Sequence, residues 1–188
     1  EPRMTDALST IFALLAFVCA AAAVFAVVVL VASRRVAPGS VLDTTRHALA
    51  ELSLWLGWVV AAVTMAGSLY YSVGAHFLPC ELCWYQRICM YPLAPILLVG
   101  AIRKDRKVWQ YAAIPALVGV AIAAYHTQLQ AFPEQKTFCD PNNPCTSRYV
   151  WEFGFVSLPL MDLVAFVFII TMLVVSATSP APQEADPE

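Results

Sequence analysis

IFALLAFVCAAAAVFAVVVLVA, Ile11–Ala32, carries no charged side chain along its whole length. Wound as a helix at about 1.5 Å per residue, it measures about 33 Å, enough to cross a hydrocarbon core of about 30 Å. Such a helix offers water nothing to solvate on any face, so its surroundings are lipid or other apolar helices. Four further stretches of similar character follow: Leu52–Gly74, Trp84–Ala101, Val108–Gln128 and Ser157–Thr178. The reading is an all-α integral membrane protein. Pro92 and Pro95 fall in the third stretch and Pro115 in the fourth; membrane helices tolerate them because neighbours re-satisfy the freed carbonyls, so kinks and not breaks are expected.

Composition agrees. Of the 188 residues, 60% are hydrophobic and 13% charged, against about 25% charged in soluble domains, and the mean hydropathy is +0.69. A net charge of −2 supplies no basic field for nucleic acid. Little polar sequence remains for a second fold, and no internal repeat or low-complexity segment interrupts the pattern. The first stretch is read as a retained helix and not a cleaved signal: Glu1–Thr10 has one arginine and two acids, and the apolar run exceeds a signal core of about 7–15 residues. Glu1-Pro2-Arg3 is left out of the fold reasoning.

Basic residues set the expected orientation. Arg34, Arg35 and Arg46 lie between the first and second spans, and Arg103, Lys104, Arg106 and Lys107 between the third and fourth. The positive-inside rule puts both loops in the cytoplasm and the N-terminus outside. The tail Ser179–Glu188, rich in proline and acid, is expected to be cytoplasmic and disordered. The expected division is 1–51 as an extension with an extra span, 52–178 as the core, and 179–188 as the tail. Two loops then face outward, about Ala75–Cys83 and about Leu129–Val156, and each holds a cysteine pair.

Cys80-Glu81-Leu82-Cys83 stands at the mouth of the third span. Pro79 stops any upstream helix, so Cys80 falls near a helix start, where free amides and the helix dipole favour a thiolate. A structural staple is the plain alternative, but closing so small a loop removes little chain entropy. Arg87, one turn below Cys83 on the same face, runs against the cytoplasmic bias of basic residues. It either snorkels outward to headgroups or stabilises the thiolate and the developing oxyanion of a bound acceptor.

The second pair lies in Cys139-Asp140-Pro141-Asn142-Asn143-Pro144-Cys145, whose centre is a strong turn signal. The two sulfurs can meet there, in a loop open to exchange with an incoming thiolate. Arg148-Tyr149-Val150-Trp151-Glu152-Phe153 is expected to lie in the interface as a short amphipathic segment. His126, at the outer end of the fourth span, is an interfacial hydrogen-bonder or a contact for a bound acceptor and its protons. Asp162 reads as an acid favoured near a helix N-terminus in preference to a counter-ion for Arg87. Cys19 and Cys89, within apolar spans, are read as small hydrophobes.

Pro79-Cys80-Glu81-Leu82-Cys83-Trp84-Tyr85-Gln86-Arg87 resembles the DsbB/BdbC family of membrane disulfide oxidases. The similarity continues through Tyr125-His126-Thr127-Gln128-Leu129-Gln130, Pro144-Cys145-Thr146 and Trp151-Glu152-Phe153-Gly154-Phe155-Val156-Ser157-Leu158-Pro159. It covers about Leu52 to Val175. The resemblance implies a four-helix transmembrane bundle in a bacterial plasma membrane, to which the first apolar stretch would add an extra N-terminal transmembrane helix. It implies a membrane quinone, ubiquinone or menaquinone, near the first pair, and a soluble DsbA-like thioredoxin-fold partner outside; a DsbA–DsbB–quinone chain of this kind keeps a periplasm oxidising. By position, Cys139 would form the mixed disulfide with the partner and Cys145 would exchange with Cys80. Cys83 would pass electrons to the quinone, with Arg87 and His126 near its ring oxygen. The first span departs from the family's core pattern, and the close spacing of the second pair is like the BdbC branch, not the enterobacterial type.

Three rivals stand beside this reading. One is a four-thiolate metal-binding membrane protein, disfavoured by Arg87 beside the thiols. Another is a membrane scaffold with structural disulfides. The third is a vitamin K epoxide reductase-like thiol oxidase, in which the loop pair precedes the CxxC; here CxxC comes first.

Overall fold

The computed structural model describes residues 2–37 and 39–178. The tail expected to be disordered lies outside them. Five helices dominate: α1 (Pro2–Ser33), α2 (Val41–Leu69), α3 (Glu81–Arg103), α4 (Trp109–Ala131) and α5 (Leu158–Thr178). A π-helical turn, Tyr70–Gly74, extends α2, and a 3₁₀ turn, Arg106–Val108, leads into α4. All five are long and apolar enough to cross a membrane, and no strand occurs among the described residues. The helices outrun the apolar stretches because hydrogen bonding continues beyond the hydrocarbon-matched part. The polar start of α1 shows this: Ser9 Oγ lies 2.9 Å from the Tyr71 hydroxyl, and Thr10 donates to the Glu152 carboxylate at 3.2 Å.

Helices α2, α3, α4 and α5 each touch the next, and α5 returns to α2, which closes a four-helix bundle; α1 lies outside it against α5 and α2. Pro92, Pro95 and Pro115 sit inside unbroken helices. The core joins Leu54 of α2, Met90, Leu93 and Leu97 of α3, and Phe166 and Ile169 of α5. Helix α4 turns a small-residue face inward, with Ala112, Ala116, Gly119 and Ala123 all buried. Small residues let backbones approach closely where lipid removes the hydrophobic drive for association. At Gly119 the approach is limiting: a Cβ would stand 2.3 Å from the Phe166 ring, which is itself fully buried.

Arg148–Trp151 has no regular structure, and the chain then makes a tight turn closed by the Glu152–Val156 bridge, with Phe153 and Gly154 at positive φ. The backbone pairs within itself, Glu152 N–H to Val156 O and Val156 N–H to Glu152 O at 2.8 Å each. Pairing this local leaves the aromatic rings free to pack sideways: Phe17 of α1 lies against Phe153 and Phe155.

Candidate functional site: two cysteine pairs at the mouth of a cavity

Cys80 is the N-cap of α3. Pro79 precedes it, its backbone is extended, and its sulfur accepts the Cys83 N–H at 3.4 Å. A helix start therefore puts both cysteines on one turn, with sulfurs 2.7 Å apart and within reach of a bond. With the pair reduced, a hydrogen bond from the Cys83 thiol, aided by one from His126, holds Cys80 down at about 4, against the opposing effect of burial. An ordinary thiol titrates at about 8.5. Cys80 is thus the sulfur that carries the charge, and the amide expected to favour it is a lesser contributor than the neighbouring thiol.

Cys139 and Cys145 form a disulfide, with Cα atoms 6.0 Å apart. The Asp140 carboxylate accepts the Asn142 N–H at 2.8 Å and shapes the intervening turn. This bridge is buried, not exposed: Cys80, Cys139 and Cys145 pack with Leu82 and Leu129 in one apolar cluster, and Cys83 lies against it. The loop is tied down from several sides. Asn143 Nδ2 donates to the Pro79 carbonyl at 3.0 Å, Gln130 Nε2 to the Ser147 carbonyl at 2.8 Å, and Tyr149 stacks on Phe77 with centroids 4.8 Å apart.

His126, 1% exposed, joins the two pairs. Its Nε2 lies 3.0 Å from the Cys145 carbonyl and 3.7 Å from Cys80 Sγ. A carbonyl only accepts, so Nε2 carries a hydrogen. Gln86 Oε1 lies 3.2 Å from Nδ1, while the buried Gln86 amide nitrogen has no partner. A half-turn of that amide, which leaves its shape unchanged, gives Nδ1 a donor and pairs the nitrogen.

Below the pair opens a cavity of about 340 Å³, walled by all five helices. Cys83, Arg87 and His126 line it together with apolar side chains such as Val63 and Met90, and α1 contributes Phe12 and Cys19. Arg87 does not snorkel away from it. Its Nε donates to Ser68 Oγ at 2.9 Å and its Nη2 to the Ser68 carbonyl at 3.0 Å. The guanidinium also sits 5.2 Å from the Trp84 ring centroid. Tyr91 donates to the same hydroxyl at 3.3 Å. Asp162, one turn inside α5, lines the cavity too. Cys89 is buried in the core and Cys19 packs against a second apolar cluster of α1, α2 and α5 residues, both in keeping with their reading as small hydrophobes; Cys19 also lines the cavity.

All six residues singled out in the sequence (Cys80, Cys83, Cys139, Cys145, Arg87 and His126) thus meet at one end of the bundle. Gln86 and Ser68 were missed. Gln86 stood in the quoted motif beside Arg87, whereas Ser68 carried no signal, because its role needs the α2–α3 contact.

Cys80, Cys83 and His126 bring three ligating atoms within 4.8 Å. Two thiolates on one tetrahedral zinc, at about 2.3 Å each, stand about 3.8 Å apart, wider than the 2.7 Å found here. The other two sulfurs are bonded to each other, so four thiolates are not gathered.

The arrangement is that of thiol–disulfide chemistry, and comparison with known proteins points the same way. Residues 50–176 match the family model described as disulfide bond formation protein DsbB. The chain belongs to the DsbB family. Among the DsbB-like relatives, disulfide bond formation protein C of Bacillus subtilis (strain 168) is 41% identical over 122 residues, covering 64% of this chain and 88% of that protein. A probable disulfide formation protein of Oceanobacillus iheyensis is 44% identical over 130 residues, covering 65% and 87%. One of Coxiella burnetii (strain Dugway 5J108-111) is 38% identical over 120 residues, covering 62% and 82%. No solved structure matches the chain significantly. As a DsbB-family member with five candidate spans, the protein is a multi-pass membrane protein of disulfide bond formation.

Proposed function

We propose that the protein reoxidises a soluble, extracytoplasmic thioredoxin-fold dithiol protein and passes the electrons to a membrane quinone. The observation that carries this reading is the packing of Cys80 and Cys83 between two things. On one side is the buried Cys139–Cys145 bridge; on the other is an apolar cavity with Arg87 on its wall. Positive-inside loops put both pairs outside the plasma membrane, with 52–178 as the working core.

The residues divide the work. Cys139 takes the partner's thiolate, and the released Cys145 thiolate attacks Cys80 of the Cys80–Cys83 disulfide, freeing Cys83. Cys139, freed when the partner closes its own disulfide, then attacks Cys145, re-forming the loop bridge and expelling Cys80, whose stabilised charge makes it a good leaving group. Cys83, facing the cavity, is the sulfur from which electrons leave. His126 grips Cys145 by its carbonyl and Cys80 by its sulfur, and so keeps the two pairs in register.

The cavity fits a quinone ring: it is walled mainly by apolar side chains, opens within the span, and holds one guanidinium. Arg87 and His126 would hold the ring oxygens. A quinone supplies a two-electron, two-proton acceptor there. Arg87, fixed by Ser68, would offer a preorganised positive charge where negative charge develops.

The test mixes purified protein, a reduced thioredoxin-fold dithiol protein and decylubiquinone or menadione, and follows quinone absorbance. Wild type should turn over. Cys83→Ala should lose quinone reduction while its Cys139–Cys145 bridge still exchanges with the dithiol. Undiminished turnover by Cys83→Ala refutes the assignment, and stoichiometric zinc in the purified protein would favour the metal-binding rival.

A further inference from the structure

Reduction of a quinone to a hydroquinone consumes two protons as well as two electrons, and the cysteine pair does not hold both protons once Cys80 is a thiolate. The bundle contains one acid placed to supply the second. Along α5, the buried residues Pro159, Phe166, Ile169, Leu173 and Ser176 recur at three- and four-residue spacing, and Asp162 falls on the same stripe. It therefore faces the bundle, not the lipid, and it lines the same cavity as Cys83 and Arg87. Asp162 lies about 6 Å along the axis from the first residue of α5, and Arg87 about 9 Å from the first residue of α3, and both line the one cavity.

Several other polar groups of that wall are already engaged. Arg87 is fixed to Ser68, Tyr91 to the same hydroxyl, His126 to the Cys145 carbonyl and Gln86, and Tyr71 to Ser9. Asp162 makes no hydrogen bond or ion pair among the described residues. An ionisable side chain inside a span is costly and is retained where it faces an interior or a pathway and has work to do. Cys19 of α1 is the remaining ionisable group facing the space from that helix.

We propose that Asp162 is the proton donor to a ring oxygen of the quinone reduced in this cavity, on the side of the ring away from Arg87. The inference rests on the quinone reading above. In balance, the Cys80 thiolate, the Cys83 thiol, the quinone and the Asp162 carboxylic acid give the Cys80–Cys83 disulfide, the hydroquinone and the Asp162 carboxylate. The sulfurs lose two electrons and form one S–S bond. Cys83 gives one proton and Asp162 the other, and the net charge is unchanged. Water at the cavity mouth then reprotonates Asp162.

The experiment compares wild type, Asp162→Asn and Asp162→Glu with decylubiquinone as the probe. Asp162→Asn keeps the size and removes the proton, and a general acid contributes about 10²–10⁴-fold. Single-turnover quinone reduction should slow at least tenfold in Asp162→Asn and recover in part in Asp162→Glu. Reduction of Cys139–Cys145 by the dithiol partner should be unchanged. Redox-induced infrared difference spectra provide a second readout. Wild type should show a carboxylic C=O band that disappears when the quinone is reduced, and Asp162→Asn should lack it. Asp162→Asn turning over within twofold of wild type, or a wild-type spectrum without the band, overturns the assignment while leaving quinone use standing. Wild type that reduces no quinone overturns both.

Discussion

The imidazole of His126 holds the backbone carbonyl of Cys145 at 3.0 Å, so a side chain from a membrane helix grips the loop cysteine directly. That contact ties the loop pair to the helix pair without touching the loop's own sulfur. Replacing His126 by phenylalanine keeps the bulk and removes the donor. A buried hydrogen bond of this kind is worth about 1 kcal/mol net, so exchange between the two pairs should slow about fivefold. Quenching with an alkylating agent during reduction by a limiting dithiol measures it: the loop pair should be found reduced ahead of the CxxC pair. An unchanged order and rate would remove His126 from the relay.

The charge on Cys80 has a signature in pH. Its value of about 4 lies below that of an unfolded thiol, so stabilisation of the reduced pair is complete above the ordinary thiol range and is lost as pH falls through 4. Between about pH 5 and 8, reduction of Cys80–Cys83 then takes up one proton for two electrons. The midpoint potential should fall by about 30 mV per pH unit, not about 59 mV. Redox titration against glutathione at several pH values decides between them. In Cys83→Ala, which loses the hydrogen bond that contributes most, the Cys80 thiol should rise toward its ordinary range; alkylation rate against pH reads this.

Arg87 is oriented by Ser68 through both hydroxyl and carbonyl. Arg87→Ala should raise the apparent KM for quinone or lower turnover by tenfold or more, leaving partner exchange intact. Ser68→Ala keeps the carbonyl contact and should cost only about two- to fivefold, in keeping with about 0.5–1 kcal/mol for one hydroxyl bond. Arg87→Ala with normal quinone kinetics would take the guanidinium out of the acceptor site.

Gly119→Ala tests the tightest helix contact. The new methyl meets the buried Phe166 ring at 2.3 Å, and overpacking of this kind costs about 1–3 kcal/mol. Thermal unfolding in detergent should move several degrees lower. Adding Phe166→Leu, which shortens the opposing side chain, should restore part of the loss.

Much of this was legible in the sequence for a physical reason: lipid imposes an apolar span on each crossing helix, and Pro-Cys at a helix start fixes a cap. The cysteine pairs, Arg87 and His126 were visible as residue types out of keeping with hydrocarbon. What stayed hidden were relationships across helices. Ser68 looks like any small residue of an apolar run until α2 meets α3. That Asp162 lines the cavity, beyond being an acid near a helix start, needed the packing of α5 against its neighbours. The loop bridge was read as exposed, since the turn signal of Pro141–Pro144 says that the chain reverses but not what packs over it.

Helix α1 lies outside the matched residues 50–176, yet Phe12 and Cys19 form part of the cavity wall. The outline of the space is therefore not encoded by the family-matching stretch alone. An inhibitor shaped to fill it would touch a surface that the 50–176 segment does not furnish, and its selectivity would be decided as much by that outer helix as by the redox centre it blocks.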